Sequence, residues 1–133
     1  MQLMIRFALL MLLALVLGAC AHADRKGADA PIHHVVLLKL RDPADASALV
    51  ADCHRLREIE GVLTLRCGRP AGIPGPNIDS DFDAALTVVF AGAEDYAAYD
   101  AHPLHQELVR RWMPRLEWLR IHDFREDSPL AVH

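Results

Sequence analysis

No block of the 133-residue sequence recurs at a fixed period, which excludes solenoid and propeller architectures and leaves room for one domain. Also missing is any cluster of Lys and Arg interleaved with aromatic residues. The charge runs the other way: Arg6 is the only charged residue before Cys20, so the chain's formal −4 becomes −5 from Cys20 onward. A mildly acidic chain without a basic patch excludes nucleic acid as a partner. Metal-site spacing is lacking too. His102 and His105 stand three residues apart, and His34 and His122 supply two more imidazoles. No carboxylate or cysteine stands at ligand spacing to finish a site, so neither a metal nor another cofactor is expected. Nor does any apolar run reach the length of a comfortable membrane span.

What the N-terminus does contain is an address. Met1 to Arg6 carries one cation, Phe7 to Leu17 is an unbroken apolar run, and Leu17-Gly18-Ala19-Cys20 follows. The run has the length and the small-residue exit of a secretory h-region. Leu17-Gly18-Ala19-Cys20 resembles the lipobox of bacterial lipoproteins, and that resemblance implies lipidation at Cys20 after removal of a signal peptide at 1–19. With Ala21 rather than an acidic residue next, it implies an exported, lipid-anchored protein on the outer membrane, facing the periplasm. Ala21-His22-Ala23 is a competing cleavage pattern, and an uncleaved anchor is a third route. Residues 20–31 read as a tether, residues 32–125 as the folded domain and residues 126–133 as a flexible tail.

From Ile32 the pattern changes. Ile32, His34, Val36, Leu38 and Leu40 alternate with His33, Val35, Leu37 and Lys39. Such a strand is apolar on both faces for much of its length, and His34 points the same way as large aliphatics. Asp42-Pro43 supplies a helix cap and a first-turn proline. Ala46, Leu49, Val50, Cys53 and Leu56 mark one apolar stripe as far as Glu58, and Gly61 ends the helix. Val62 to Cys67 is a second strand, with Leu63, Leu65 and Cys67 on one face and Thr64 and Arg66 on the other. Arg69 to Asp81 holds three prolines and two glycines and forms a long loop. Ala84 to Phe90 is the third strand. Leu116 to Phe124 is the last, with Trp118, Arg120, His122 and Phe124 opposite Glu117, Leu119, Ile121 and Asp123.

Between the last two strands lies Tyr99-Asp100-Ala101-His102-Pro103-Leu104-His105, a phenol and two imidazoles around a helix break. Pro103 forces His102 toward extended backbone, so a helix over Asp95 to Ala101 stops there, and Pro103 starts a second one. His105 then falls in the first turn of the new helix, beside its unpaired amides and the positive end of its dipole, a setting that favours the neutral ring. With Val109 and Trp112 at i+4 and i+7, His105 looks inward, and Tyr99 reaches the same space. These two are the candidate catalytic pair. The alternative is a structural histidine and an ordinary core aromatic.

The resulting order predicts an α+β, ferredoxin-like split βαβ (βαββαβ) fold with a four-stranded antiparallel sheet. Two helices cover one face of such a sheet. The first and third strands are apolar on both faces, so the other face needs a cover, and a homodimer pairing sheet to sheet supplies it, with the long loop able to take a share. Cys53 and Cys67 each sit on an apolar stripe. In an exported protein they are candidates for a disulfide worth about 3 kcal/mol, and two buried free thiols are the alternative.

From Ile32 to Phe124 the chain resembles the stress-responsive A/B barrel (Dabb) domain family. The resemblance is carried by His33-His34-Val35-Val36-Leu37-Leu38-Lys39-Leu40, by Gly61-Val62-Leu63, by the Asp83 to Phe90 strand and by Tyr99 to His105 with its His-Pro-x-His core. It implies a dimeric α/β barrel in which two sheets enclose a cavity. A plant branch of polyketide cyclases within the family implies His105 as general base, Tyr99 beside it and His34 as a further pocket histidine, with His102 counted in the pocket by its place in the motif. This chain departs from that branch at Ala84, where the cyclase has another histidine. The function implied first is therefore a dimeric domain on the envelope that binds a small apolar ligand or serves in stress tolerance without established catalysis. The alternative is a cofactor-independent acid/base enzyme of the aldol or lyase type using His105 and Tyr99.

Overall fold

The computed structural model of the protein describes residues 30–127. The leader expected at 1–19, Cys20, the tether as far as residue 29 and residues 128–133 of the tail lie outside the described residues. Four strands, β1 (Ile32–Leu40), β2 (Val62–Gly68), β3 (Ala84–Phe90) and β4 (Leu116–Arg125), combine with three helices, α1 (Ala46–Arg55), α2 (Ala93–Ala101) and α3 (Pro103–Trp112). All strand pairs are antiparallel and the order across the sheet is β2-β3-β1-β4. This is the expected ferredoxin-like α+β fold. No helix among the described residues is long and apolar enough to cross a membrane.

Local chemistry sets the boundaries. Asp42 accepts a hydrogen bond from the Ala44 amide at 3.0 Å, and Pro43 opens a 3₁₀ turn that runs into α1. That helix buries Ala46, Leu49 and Cys53 on one stripe, continued by Leu56 in the turn that follows. Full burial of a leucine contributes about 1.5–3 kcal/mol, so Leu49 and Leu56 alone hold the helix firmly on the sheet. Gly61 then takes a φ of 89°, the left-handed conformation that favours glycine, and turns the chain into β2. At the other end of the domain the Trp112 indole donates to Asp52 at 2.9 Å, and Arg111 meets the same carboxylate oxygen at 2.9 Å, pinning α3 to α1.

One expectation is corrected. Leu63 does not share a face with Leu65 and Cys67. Val62 and Thr64 pair with the adjacent residues Phe90 and Val89, so Leu63 is the extra residue of a β-bulge. The bulge brings Val62 to the core face and leaves Leu63 57% exposed. A hollow lies within the single chain, between helices and sheet.

The face turned away from the helices carries half-buried Val35, Leu37 and Val89, together with the exposed Phe124. The long loop after β2 is tied to one end of it. Lys39 pairs with Asp81 at 3.0 Å and Asp83 at 3.8 Å, and Arg120, stacked over the Trp118 ring at 4.3 Å, approaches Asp79 at 3.6 Å.

Candidate functional site

The helices and sheet enclose a cavity of about 290 Å³, near the lower end of the size range of small-molecule sites. Its walls are mostly apolar: Val36, Leu38 and Leu119 from the sheet, Leu108 and Trp112 from α3. Met113 and Ile121, 48% and 49% exposed, also line it and mark where it reaches the surface. The polar lining consists of His34, Tyr96, Tyr99, Asp100 and His105, with no Lys or Arg.

The helix break places Tyr99 and His105 together, their ring centroids 4.6 Å apart. His102 is the extended residue between α2 and α3, with φ −66° and ψ 138°, as the following proline dictates. His105 Nδ1 lies 3.0 Å from the Asp100 carbonyl oxygen. A carbonyl only accepts, so Nδ1 carries a hydrogen, and in the neutral ring the lone pair is on Nε2. Gln106 donates to the same carbonyl at 2.7 Å, fixing the end of α2 that His105 leans on. Tyr99 is 1% exposed and its hydroxyl has no hydrogen-bond partner. Burial, together with the nearby Cys53, Tyr96 and Asp100, raises its pKa above the ordinary phenol value, so it stays a hydrogen-bond donor. An unpaired buried donor beside an apolar hollow is a vacant handle for an acceptor atom.

His34 lies in the same wall, its ring 6.2 Å from that of Tyr99. Its Nδ1 is 2.7 Å from Asp123 Oδ1 and 2.9 Å from the Tyr96 hydroxyl, which itself donates to Asp123 Oδ2 at 3.0 Å. The carboxylate and the already committed phenol both face Nδ1 as acceptors. His34 therefore also carries a hydrogen on Nδ1, which in the neutral ring leaves the lone pair on Nε2. Burial and the Asp123 carboxylate push the Tyr96 phenol up to about 12.

Of the sequence-derived site residues, Tyr99, His105 and His34 come together around the cavity. His102 does not. Its Nδ1 accepts from the Leu104 amide at 3.2 Å as the N-cap of α3, and it is absent from the cavity wall. Asp123 and Tyr96 went unassigned in the sequence. The signals were an acid in register with Leu119 and Ile121 on the inward face of β4, and a phenol one helical turn before Tyr99.

A family model described as the stress responsive A/B barrel domain, Dabb, matches residues 32–126. The chain belongs to the Dabb family. No curated protein matches it. Among solved structures, a Dabb family protein with a ferredoxin-like fold from Mesorhizobium loti is 26% identical with a TM-score of 0.63, covering 74% of this chain and 99% of its own. A dimeric ferredoxin-like protein of unknown function from Thermobifida fusca is 20% identical with a TM-score of 0.63, covering 79% and 99%. A hydroxynitrile lyase from Passiflora edulis is 16% identical with a TM-score of 0.64, covering 77% and 99%. The last two likenesses show the fold alone.

In this Dabb domain Cys53 and Cys67 are free thiols rather than the disulfide considered from the sequence. A hydrogen bond from Cys53 to Cys67, with burial, raises the Cys53 pKa, while the same bond lowers that of Cys67. Cys53 forms part of the cavity wall. Among the described residues no three His, Cys, Asp or Glu side chains gather where a metal ion would be held.

Proposed function

We propose that this Dabb domain takes a small, neutral, mostly apolar molecule with one carbonyl or hydroxyl oxygen into the cavity, that oxygen accepting from Tyr99. The observation that carries the reading is the Tyr99 hydroxyl, buried and unpaired against a mostly apolar wall without Lys or Arg. A second reading adds turnover, and the His105 clamp favours it. A ring fixed through Nδ1 offers Nε2 as a base. Nε2 takes a proton from the carbon next to the bound carbonyl. The electron pair of the broken C–H bond moves onto the carbonyl oxygen, where the Tyr99 O–H stabilises it, and the imidazolium later returns the proton to carbon. General base catalysis of this kind is worth about 10²–10⁴-fold. The hydroxynitrile lyase neighbour supports the view that this fold accommodates a lyase. His105→Ala separates the two readings. Loss of proton exchange with retained ligand binding supports the enzyme, whereas loss of neither removes His105 from the site.

The same proposal places the domain on the envelope as a homodimer. The N-terminal pattern ending in Cys20 supports export and lipid anchoring, to be checked by the mass of the mature N-terminus. The dimeric relatives and the apolar outer sheet face support pairing of two copies. Sedimentation of the native chain at twice the monomer mass, reduced to one by Leu37→Glu, is the expected result. A native monomer contradicts it.

A further inference from the structure

Two thiols among the described residues take no part in the acid/base reading, and their surroundings differ. Cys53, on α1, is fully buried in the core. Cys67, on β2, is half-buried. Its strand is an edge of the sheet, and Gly68, the next residue towards the loop, has no side chain to screen it. On the inner side the Cys67 sulfur lies 3.8 Å from the carbonyl oxygen of Val50, which precedes Cys53 by three residues and so shares its face of α1. Helix and edge strand thus bring the two sulfurs together, with the Cys53 thiol donating to Cys67. That bond and the Gly68 amide favour a thiolate at Cys67, whereas the same bond and burial keep Cys53 protonated. Attack on a disulfide requires a reachable thiolate, so the pair divides into a nucleophile at the edge and a reserve thiol in the core.

We infer that Cys67 and Cys53 form a reversible dithiol–disulfide site, with Cys67 attacking small disulfide molecules and Cys53 closing the internal bond. This goes beyond the cavity reading and does not depend on it. The Cys67 thiolate, its proton already given to solvent, bonds to one sulfur of R–S–S–R, whose S–S bond breaks and releases RS⁻. Cys53 then gives its proton to solvent and attacks the Cys67 sulfur of the mixed disulfide, expelling the second RS⁻. The two RS⁻ take up the two protons. Two protein thiols and one external disulfide therefore become one internal disulfide and two RSH. The external disulfide is the oxidant, reduced by the two electrons that the protein gives up. The bond ties α1 to the edge strand through Cys53, which also lines the cavity.

Oxidised glutathione is the probe, added to the full-length chain after reduction with dithiothreitol and removal of the reductant. Products are read by intact mass and by peptide mapping without reductant. The native chain is expected to lose two hydrogens, with the peptides that hold Cys53 and Cys67 joined, and dithiothreitol is expected to separate them again. Cys53→Ser keeps a hydroxyl donor beside Cys67 and is expected to accumulate one glutathione on Cys67. Cys67→Ser leaves the buried thiol alone, and glutathione is expected to add to Cys53 at least about tenfold more slowly. A thermal melt checks that each variant is folded. Cys53 and Cys67 peptides that stay unjoined in the native chain overturn the site, whatever the variants do. Equal rates of glutathione addition at Cys53 in Cys67→Ser and at Cys67 in Cys53→Ser overturn the division of roles.

Discussion

The Tyr99 hydroxyl is buried without a hydrogen-bond partner, and leaving such a group unpaired costs about 1–3 kcal/mol. Tyr99→Phe removes that cost and little else, since the ring keeps its contacts with Phe90 and His105. The variant is expected to be more stable by about 1 kcal/mol, read as a higher urea midpoint at unchanged slope, and to bind a neutral ketone more weakly. An unchanged midpoint means that the hydroxyl already has a partner. Residues of this kind were partly legible beforehand. His34 and His105 could be aimed inward because strand alternation and helix period fix side-chain direction. His102 was misread because its ring turns back to cap α3, a local bond that competes with any pocket role. Asp123 was harder still, because its partner His34 lies on another strand, 89 residues earlier.

Element boundaries followed local rules closely. Asp42-Pro43, Gly61 and His102-Pro103 act through backbone geometry that neighbours in sequence decide, and each stands where the pattern placed it. The bulge at Leu63 depends on how β2 meets β3, a pairing that no short window contains. Gly61 carries a prediction at this scale. A Cβ there would sit 2.9 Å from Asp95 Oδ1 at a φ of +89°. The Asp95 Cβ, 3.1 Å away, is close as well, so crowding adds to the cost of the left-handed backbone. Gly61→Ala is expected to destabilise the domain by about 1–2 kcal/mol, measured as a lower urea midpoint. A neutral effect would show that the turn relaxes.

The whole molecule answers to alkali through its phenols. Tyr96 is raised from 10 to about 12, and Tyr99 is raised as well. The folded state therefore keeps protons that the unfolded chain releases. Stability is fully present below pH 10 and is lost as pH rises through about 12. A melting temperature flat to pH 10 that then falls, with the fall reduced in Tyr96→Phe, is the expected profile. At this scale the fold class was legible, because six periodic segments in a fixed order admit few layer arrangements. The place of the cavity was not, since it depends on how far the helices stand off the sheet.

Calorimetric titration of the full-length chain with octan-2-one and with octanoate tests most directly whether that cavity is a site for a neutral ligand. Measurable binding of the ketone, at least tenfold weaker binding of the carboxylate, and loss of the ketone's advantage in Tyr99→Phe are the predicted results. Equal binding of both compounds, or ketone affinity unchanged in Tyr99→Phe, would contradict it.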